Sequence, residues 1–304
     1  PFETEGLPVY ILAWTTTPWT LPSNTALCVG PKIDYVAIKN KNPYTGEVAV
    51  YILAESRLST YFQTEKDEEG NIALDIIWKG TGAGLIGLHY RQLMPWIKPC
   101  AIENNNIVVK ENEAFRVIPG DYVTTEDGTG IVHIAPTFGA DDAKVAKDAG
   151  IPSLFVIDKA GDTRPMVDFT GKYFLKEDMN EEFIEKCVND SYWKHSGDFV
   201  KNAYSPKYNI NGKYDEKAAS KEMDLNVILC VEMKEEGSAF KIEKHIHNYP
   251  HCWRTDKPVL YYPLDSWFIK STAMKERMYE LNQTILWKPE STGTGRFGKW
   301  LENC

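Results

Sequence analysis

The residues best suited to chemistry lie in two short stretches. The first is Trp14-Thr15-Thr16-Thr17-Pro18-Trp19-Thr20-Leu21-Pro22-Ser23-Asn24. Pro18 and Pro22 stop a strand and restrict the backbone, so a row of small groups that both donate and accept hydrogen bonds is held with little freedom. The second is Gly128-Thr129-Gly130-Ile131-Val132-His133-Ile134-Ala135-Pro136-Thr137-Phe138-Gly139-Ala140-Asp141-Asp142. It places a histidine on a strand and two carboxylates in the first turn of a helix. Each feature also has a plain structural use. Threonine favours strands, and a carboxylate at a helix N-terminus gains roughly 0.3–1 kcal/mol from the dipole. No Ser-His-Asp or Cys-His arrangement stands out, so nothing points to a covalent enzyme intermediate.

These residues need strands to position them. Strands are expected at Val9 to Trp14, Thr25 to Val29, Tyr35 to Lys39 and Val48 to Ala54, separated by turn chemistry at Gly30-Pro31 and Asn42 to Gly46. Gly130 to Ala135 reads as a buried strand, Pro136 to Gly139 as a turn, and the helix after it runs to about Lys147 and ends near Gly150. Further strands are expected at Leu154 to Ile157, Phe240 to His247 and Val259 to Lys270. Helices are expected at Met179 to His195, around Asp215 to Lys234, and at about Thr272 to Asn282.

Two other patterns invite chemistry and are set aside. Gly80 to Gly87 contains G-x-G-x-x-G, but a dinucleotide site needs a helix to begin within it, and Pro95 with Tyr90 and Trp96 suits strand and loop. His245, His247, His251 and Cys252 lie close together, yet a metal site usually takes ligands from two separated pairs and no second pair is visible. No metal ligand is assigned.

The wording of the two stretches is more specific than their residue types. W-T-T-T-P-W-T-L-P-S-N resembles the threonine-rich signature of the editing domain (connective peptide 1, CP1) of isoleucyl-tRNA synthetases, which are class I aminoacyl-tRNA synthetases. Valyl and leucyl relatives carry a T-T-R-P version; here Thr17 replaces the Arg, and Trp19 after Pro18 favours the isoleucyl branch. G-T-G-x-V-H-x-A-P-x-x-G-x-D-D resembles the second motif of the same family, in the family's order. The resemblance covers roughly residues 1–160 and 238–304.

The resemblance implies an α+β, mostly β fold: a strand-rich, barrel-like editing domain with peripheral helices and an inserted α-containing lobe. The editing domain would span 1–265, with its core at about 1–160 and 238–265 and the lobe at about 160–237. Residues 266–304 would return toward an absent catalytic domain. The implied activity is deacylation of mischarged Val-tRNA(Ile) by water attack on the aminoacyl ester, with valyl-adenylate as a further candidate substrate. A single pocket separates isoleucine from valine by only about 1–3 kcal/mol, a general figure drawn from this enzyme family itself.

Roles carry over by position. Asp142 matches the acidic residue that pairs with the substrate ammonium, a charge-assisted bond that fixes the ester, and Asp141 is its helix-start neighbour. Thr15, Thr16 and Thr17 match hydroxyls lining the carbonyl, the water and the terminal ribose. His133 matches the residue that narrows the pocket against isoleucine, Asn24 a further polar position, and Trp19 either a wall of the site or core. The reaction implied needs no cofactor, although a full-length parent would use ATP and Mg. Partners would be the 3′ end of tRNA(Ile) carrying valine and the parent's catalytic body in cis, with the chain itself monomeric and cytoplasmic. No H-I-G-H-like or K-M-S-K-S-like motif is present, so no ligase activity is expected of this chain.

Composition bounds these expectations. The 304 residues are 43% hydrophobic and 25% charged, an ordinary globular balance. There is no run of eighteen apolar residues and no basic-then-apolar leader, and the missing initiator Met suggests a fragment. Six scattered cysteines without C-x-x-C suit reduced thiols in the cytosol. A net charge of -9 argues against wrapping a duplex and leaves room for gripping a short single-stranded end. The competing class is a non-catalytic tRNA-binding module, which would bind without turnover.

Overall fold

The structure is a computed structural model and describes residues 3–62, 74–210, 213–246, 248–264 and 266–303. The chain divides into two compact units, Pro1–Pro263 and Leu264–Cys304.

The first unit is built on two small sheets. Its strands include β1 (Val9–Ile11), β2 (Ala26–Val29), β3 (Asp34–Lys41), β4 (Val48–Ala54), β5 (Asp75–Thr81), β6 (Cys100–Glu103), β7 (Asn106–Val109), β8 (Arg116–Pro119) and β9 (Ile131–Ile134). One sheet has the order β1-β4-β3-β5, with β1 parallel to β4 and the other pairs antiparallel. The other has the order β8-β2-β9, with β8 parallel and β9 antiparallel to β2. The period-two alternation of a strand sorts the side chains into layers. Leu27 and Val29 of β2 join Tyr35, Ala37, Val50 and Ile52 in one core, whereas Ala26 and Cys28 face a separate cluster with Ala146 and Ile151. Val36, Ile38, Tyr51 and Leu53 pack on the far side with Phe62 and Phe240.

The α+β class stands, but the expected barrel does not: among the described residues no sheet closes on itself. The sheets instead pack face to face across the shared core and are joined by hydrogen bonds at one edge. The Tyr35 hydroxyl donates to Gly130 O at 2.6 Å, and Ala54 N donates to Thr129 O at 2.9 Å. Gly130 is required there. Its φ is +74°, and a Cβ would lie 2.5 Å from the Ala54 Cβ. The sequence G-T-G that leads into β9 is thus a close approach of two sheets.

The helices α1 (Leu58–Tyr61), α2 (Ala140–Asp148), α3 (Glu181–Cys187), α4 (Glu216–Ala219) and α5 (Leu225–Glu235) complete this unit. The expected helix from Met179 to His195 is interrupted. Val188 is extended and bridges Ile97, and Asn189 N donates to Trp96 O at 2.9 Å. The stretch from Asp215 splits in the same way, because Asp215 and Asp224 each cap a new helix through a side-chain carboxylate. Residues 160–237 share a core with Trp19, Leu21, Trp96 and Ile97 rather than burying their own alone. G-x-G-x-x-G is a short 3-10 turn, Gly82–Gly84, after β5, so no helix starts there.

No strand forms among the described residues of 240–246 or 259–270; His247 lies outside them. The second unit consists mainly of α6 (Lys275–Gln283) and α7 (Phe297–Glu302). Its buried Asn282 donates to Gly293 O at 3.0 Å and accepts from Trp287 Nε1 at 2.9 Å. Among the described residues, no helix is long and apolar enough to cross a membrane.

Candidate active site

The threonine stretch leaves the first sheet at Trp14, which bridges Val132 of β9, and enters a 3-10 turn at Pro18–Ser23. Proline at the first position suits that turn, since its missing N–H would be unpaired anyway. The turn then feeds Asn24 into β2. Because β2 pairs with β9 with Leu27 opposite His133, the two sequence motifs are brought side by side.

Their polar groups interlock. Thr17 N donates to Thr15 Oγ1 at 3.0 Å, and Thr20 Oγ1 donates to Thr17 O at 2.9 Å. Thr20 Oγ1 also lies 3.1 Å from His133 Nε2. Asn24 Nδ2 donates to Ala26 O at 2.8 Å and lies 3.3 Å from His133 Nδ1. The Tyr90 hydroxyl donates to Asn24 Oδ1 at 2.6 Å. Thr16 stays exposed and Thr15 and Thr17 half-buried, so this edge of the cluster is open to a ligand.

Burial pushes the His133 imidazole down to about 4, so it is neutral near pH 7. Asp142 lies in the first turn of α2, half-buried, and its Oδ2 accepts from Ala135 N at 2.9 Å. Burial raises its carboxyl above the ordinary value; the Ala135 N–H opposes this and the Asp141 charge adds to it. Among the described residues no hydrogen bond joins Asp142 to Thr15, Thr16 or Thr17. Asp141 is exposed.

Trp19 is buried at 3% exposure and packs edge-on against Phe138, with ring centres 4.8 Å apart. Its backbone is held from the 160–237 segment. Asn226 Oδ1 accepts from Trp19 N at 3.1 Å, and the Tyr173 hydroxyl donates to Trp19 O at 2.6 Å. The same segments carry buried polar atoms with no described protein partner: Trp19 Nε1, Ser23 Oγ, Thr25 Oγ1 and Thr137 Oγ1. Two surface cavities lie elsewhere. One of about 520 Å³ is lined by Asn202, Tyr214 and Asp224, and one of about 390 Å³ by Tyr10, Asn42 and Tyr51; neither includes a residue singled out in the two motifs. Among its described residues the histidine-rich stretch forms no metal-holding group. His245 meets the Trp14 ring edge-on, and His251 bonds to Tyr249 O.

Three contributors escaped the sequence. Thr20 stood inside the motif three residues after Thr17 and could have been found there. Tyr90 and Asn226 lie far away in sequence and carry no local signal.

Over 97% of its length the chain is 62% identical to the isoleucine–tRNA ligase of Bacteroides thetaiotaomicron, spanning 26% of that protein. The chain is similar to one segment of the isoleucine–tRNA ligases, a family of longer proteins. Members from Porphyromonas gingivalis and Clostridium tetani are 52% and 39% identical over the same 97% share, and the chain spans 25% and 21% of them. The chain thus has about a quarter of the length of these ligases. No protein-family model matches it. Among solved structures, the cytosolic leucyl-tRNA synthetase editing domain of P. falciparum overlaps 51% of the chain and 57% of its own, at 15% identity and a TM-score of 0.33. That of P. knowlesi overlaps 46% and 50%, at 18% and 0.32. Overlaps this partial give no weight to any residue of the site.

Proposed function

We propose that this chain is the proofreading hydrolase segment of an isoleucyl-tRNA synthetase, an aminoacyl-tRNA deacylase acting on Val-tRNA(Ile). The supporting observation is the hydrogen-bonded set Thr17, Thr20, Asn24 and His133, with Asp142 anchored two residues beyond His133, in a chain 62% identical to an isoleucine–tRNA ligase.

Asp142 receives the valine ammonium through its free carboxylate oxygen, a charge-assisted contact that fixes the ester relative to the turn. Thr15, Thr16 and Thr17 line the ester carbonyl, the attacking water and the terminal ribose. His133 and Asn24 close the acyl pocket, and Trp19 supports the turn from beneath. Threonine hydroxyls are poor bases at neutral pH, so orientation of the water carries the rate, assisted by the ribose hydroxyl of the substrate. The reaction draws on no cofactor; ATP and magnesium belong to amino-acid activation by the parent. The partners are the acylated tRNA 3′ end and the parent's catalytic body in cis, with the segment monomeric and in the cytoplasm.

The test is release of valine from Val-tRNA(Ile) beside isoleucine from Ile-tRNA(Ile), by this chain and its Asp142→Ala variant. Preferential release of valine that the substitution abolishes is expected. Tight, salt-sensitive tRNA binding with no release would favour a non-catalytic tRNA-binding module.

A further inference from the structure

The hydrogen bonds around His133 have a direction, and that direction locates its proton. Asn24 Nδ2 is 2.8 Å from the Ala26 carbonyl, which can only accept. The amide nitrogen therefore points there, and Asn24 Oδ1 receives the Tyr90 hydroxyl at 2.6 Å. The second Nδ2 hydrogen lies between Ile134 O and His133 Nδ1, each 3.3 Å away, and because an amide nitrogen cannot accept, a hydrogen on Nδ1 would have no partner there. At the opposite edge Thr20 Oγ1 is 2.9 Å from Thr17 O, an acceptor for its hydrogen, and a neutral ring with no hydrogen on Nδ1 carries one on Nε2. Thr20 Oγ1 thus offers a lone pair to His133 Nε2 at 3.1 Å.

We propose that His133 works as a neutral ring protonated on Nε2, and that Tyr90, acting through Asn24, and Thr20 are the positioning residues that fix this tautomer and ring plane. In this state both ring nitrogens are occupied. His133 offers no lone pair to a water and no free N–H to a leaving group, so it is a wall and not a proton carrier. A second proton would sit on Nδ1 against the Asn24 amide hydrogens. Burial also disfavours the charged ring, and is the cause of its depressed titration to about 4. Tyr90 is itself anchored: its N donates to Phe115 O at 2.8 Å and its ring packs against Phe115 at 6.0 Å. The consequence for acyl selectivity rests on the proposed proofreading function; the tautomer does not.

The experiment is a two-bond 1H–15N correlation spectrum of the 15N-histidine-labelled chain across pH, with the His133 signal assigned by its loss in His133→Gln. The expected result is the Nε2–H tautomer above about pH 5 and titration near 4. An Nδ1–H or mixed tautomer overturns the proposal. In Asn24→Asp a carboxylate faces Nδ1, and His133 is expected to titrate above 6.5; no upward shift also overturns it. In Tyr90→Phe the tautomers are expected to mix, and the preference for releasing valine over isoleucine to fall several-fold. An unchanged spectrum and preference would remove Tyr90 from the role. A chain that releases neither amino acid but shows the Nε2–H tautomer would count against the proofreading function and leave the proton assignment standing.

Discussion

The Asp142 carboxylate accepts a hydrogen bond from Ala135 N at 2.9 Å, which ties the first turn of α2 to the end of the strand that carries His133. One oxygen is used structurally and the other remains for a ligand. Asp142→Asn retains an acceptor for Ala135 N and removes the charge. Losing a hydrogen bond to a charged partner costs about 1.5–3 kcal/mol, or roughly 10–100-fold in rate. Deacylation of Val-tRNA(Ile) by Asp142→Asn is therefore expected to fall by that factor with the unfolding midpoint little changed. Loss of fold in parallel with activity would make Asp142 a structural residue only.

In the proposed deacylation, Asp142 is also expected to set the acid limb. Its carboxyl is raised above the ordinary 3.8 by burial, and only the ionised form pairs with an ammonium. Deacylation is expected to decline on acidification at a higher pH than for an exposed aspartate. A pH–rate profile flat down to about 4 would contradict this.

His133 makes the opposite demand on stability. Its folded value, about 4, lies below the ordinary 6.5, so the unfolded chain takes up the proton first. This contribution is fully present above about 6.5, erodes as pH falls toward 4, and is level below that. The span corresponds to about 3 kcal/mol. Unfolding of wild type and His133→Gln by urea across that range checks it. The difference between the two curves should change through the window, and a constant difference would refute the neutral ring.

The strands were legible because their pattern is local. Leu27 and Val29 alternate with Ala26 and Cys28 as a strand between two layers must, and Gly-Pro and Asn-Pro turns bound them. The pairing of β2, which follows the first motif, with β9, which carries His133, had no local signal. What failed depends on distant partners. Val188 leaves its helix to bridge Ile97, and nothing near Val188 announces that. The segment 259–270 has strand-like residues but no strand among its described residues, because a strand needs a neighbour to accept its hydrogen bonds. The contacts of Tyr90 with Asn24 and of Asn226 with Trp19 span 66 and 207 residues.

Asn226 gives the 160–237 segment a measurable part in the site. It receives Trp19 N and is the only side chain described as bonding to it, while Tyr173 holds Trp19 O. Asn226→Ala leaves a part-buried N–H unpaired, and Tyr173→Phe leaves a buried carbonyl unpaired, each at a cost of about 1–3 kcal/mol. Both are expected to lower deacylation through the threonine turn without moving the valine-over-isoleucine preference. Trp19→Ala should cost more, about 3–5 kcal/mol, as a cavity in the core. A Trp19→Ala variant that keeps its stability but loses selectivity would make Trp19 a wall of the pocket instead.

His195 tests the same segment from its other side. Its buried ring stacks on Trp96 at 5.1 Å and bonds to Asp198 and Glu232, both at 2.9 Å. Burial lowers its titration, but the two carboxylates outweigh it and the net shift is upward. A raised folded value means the stabilisation is fully present below the ordinary 6.5 and is lost as pH rises through the folded value. Lys194 also binds Glu232 at 2.8 Å, so that carboxylate is not stranded when the ring loses its proton. His195→Gln should cost about 1.5–3 kcal/mol under mildly acidic conditions and progressively less toward alkaline pH. Equal destabilisation at both ends of the range would mean the ring contributes by packing on Trp96 and not by its charge.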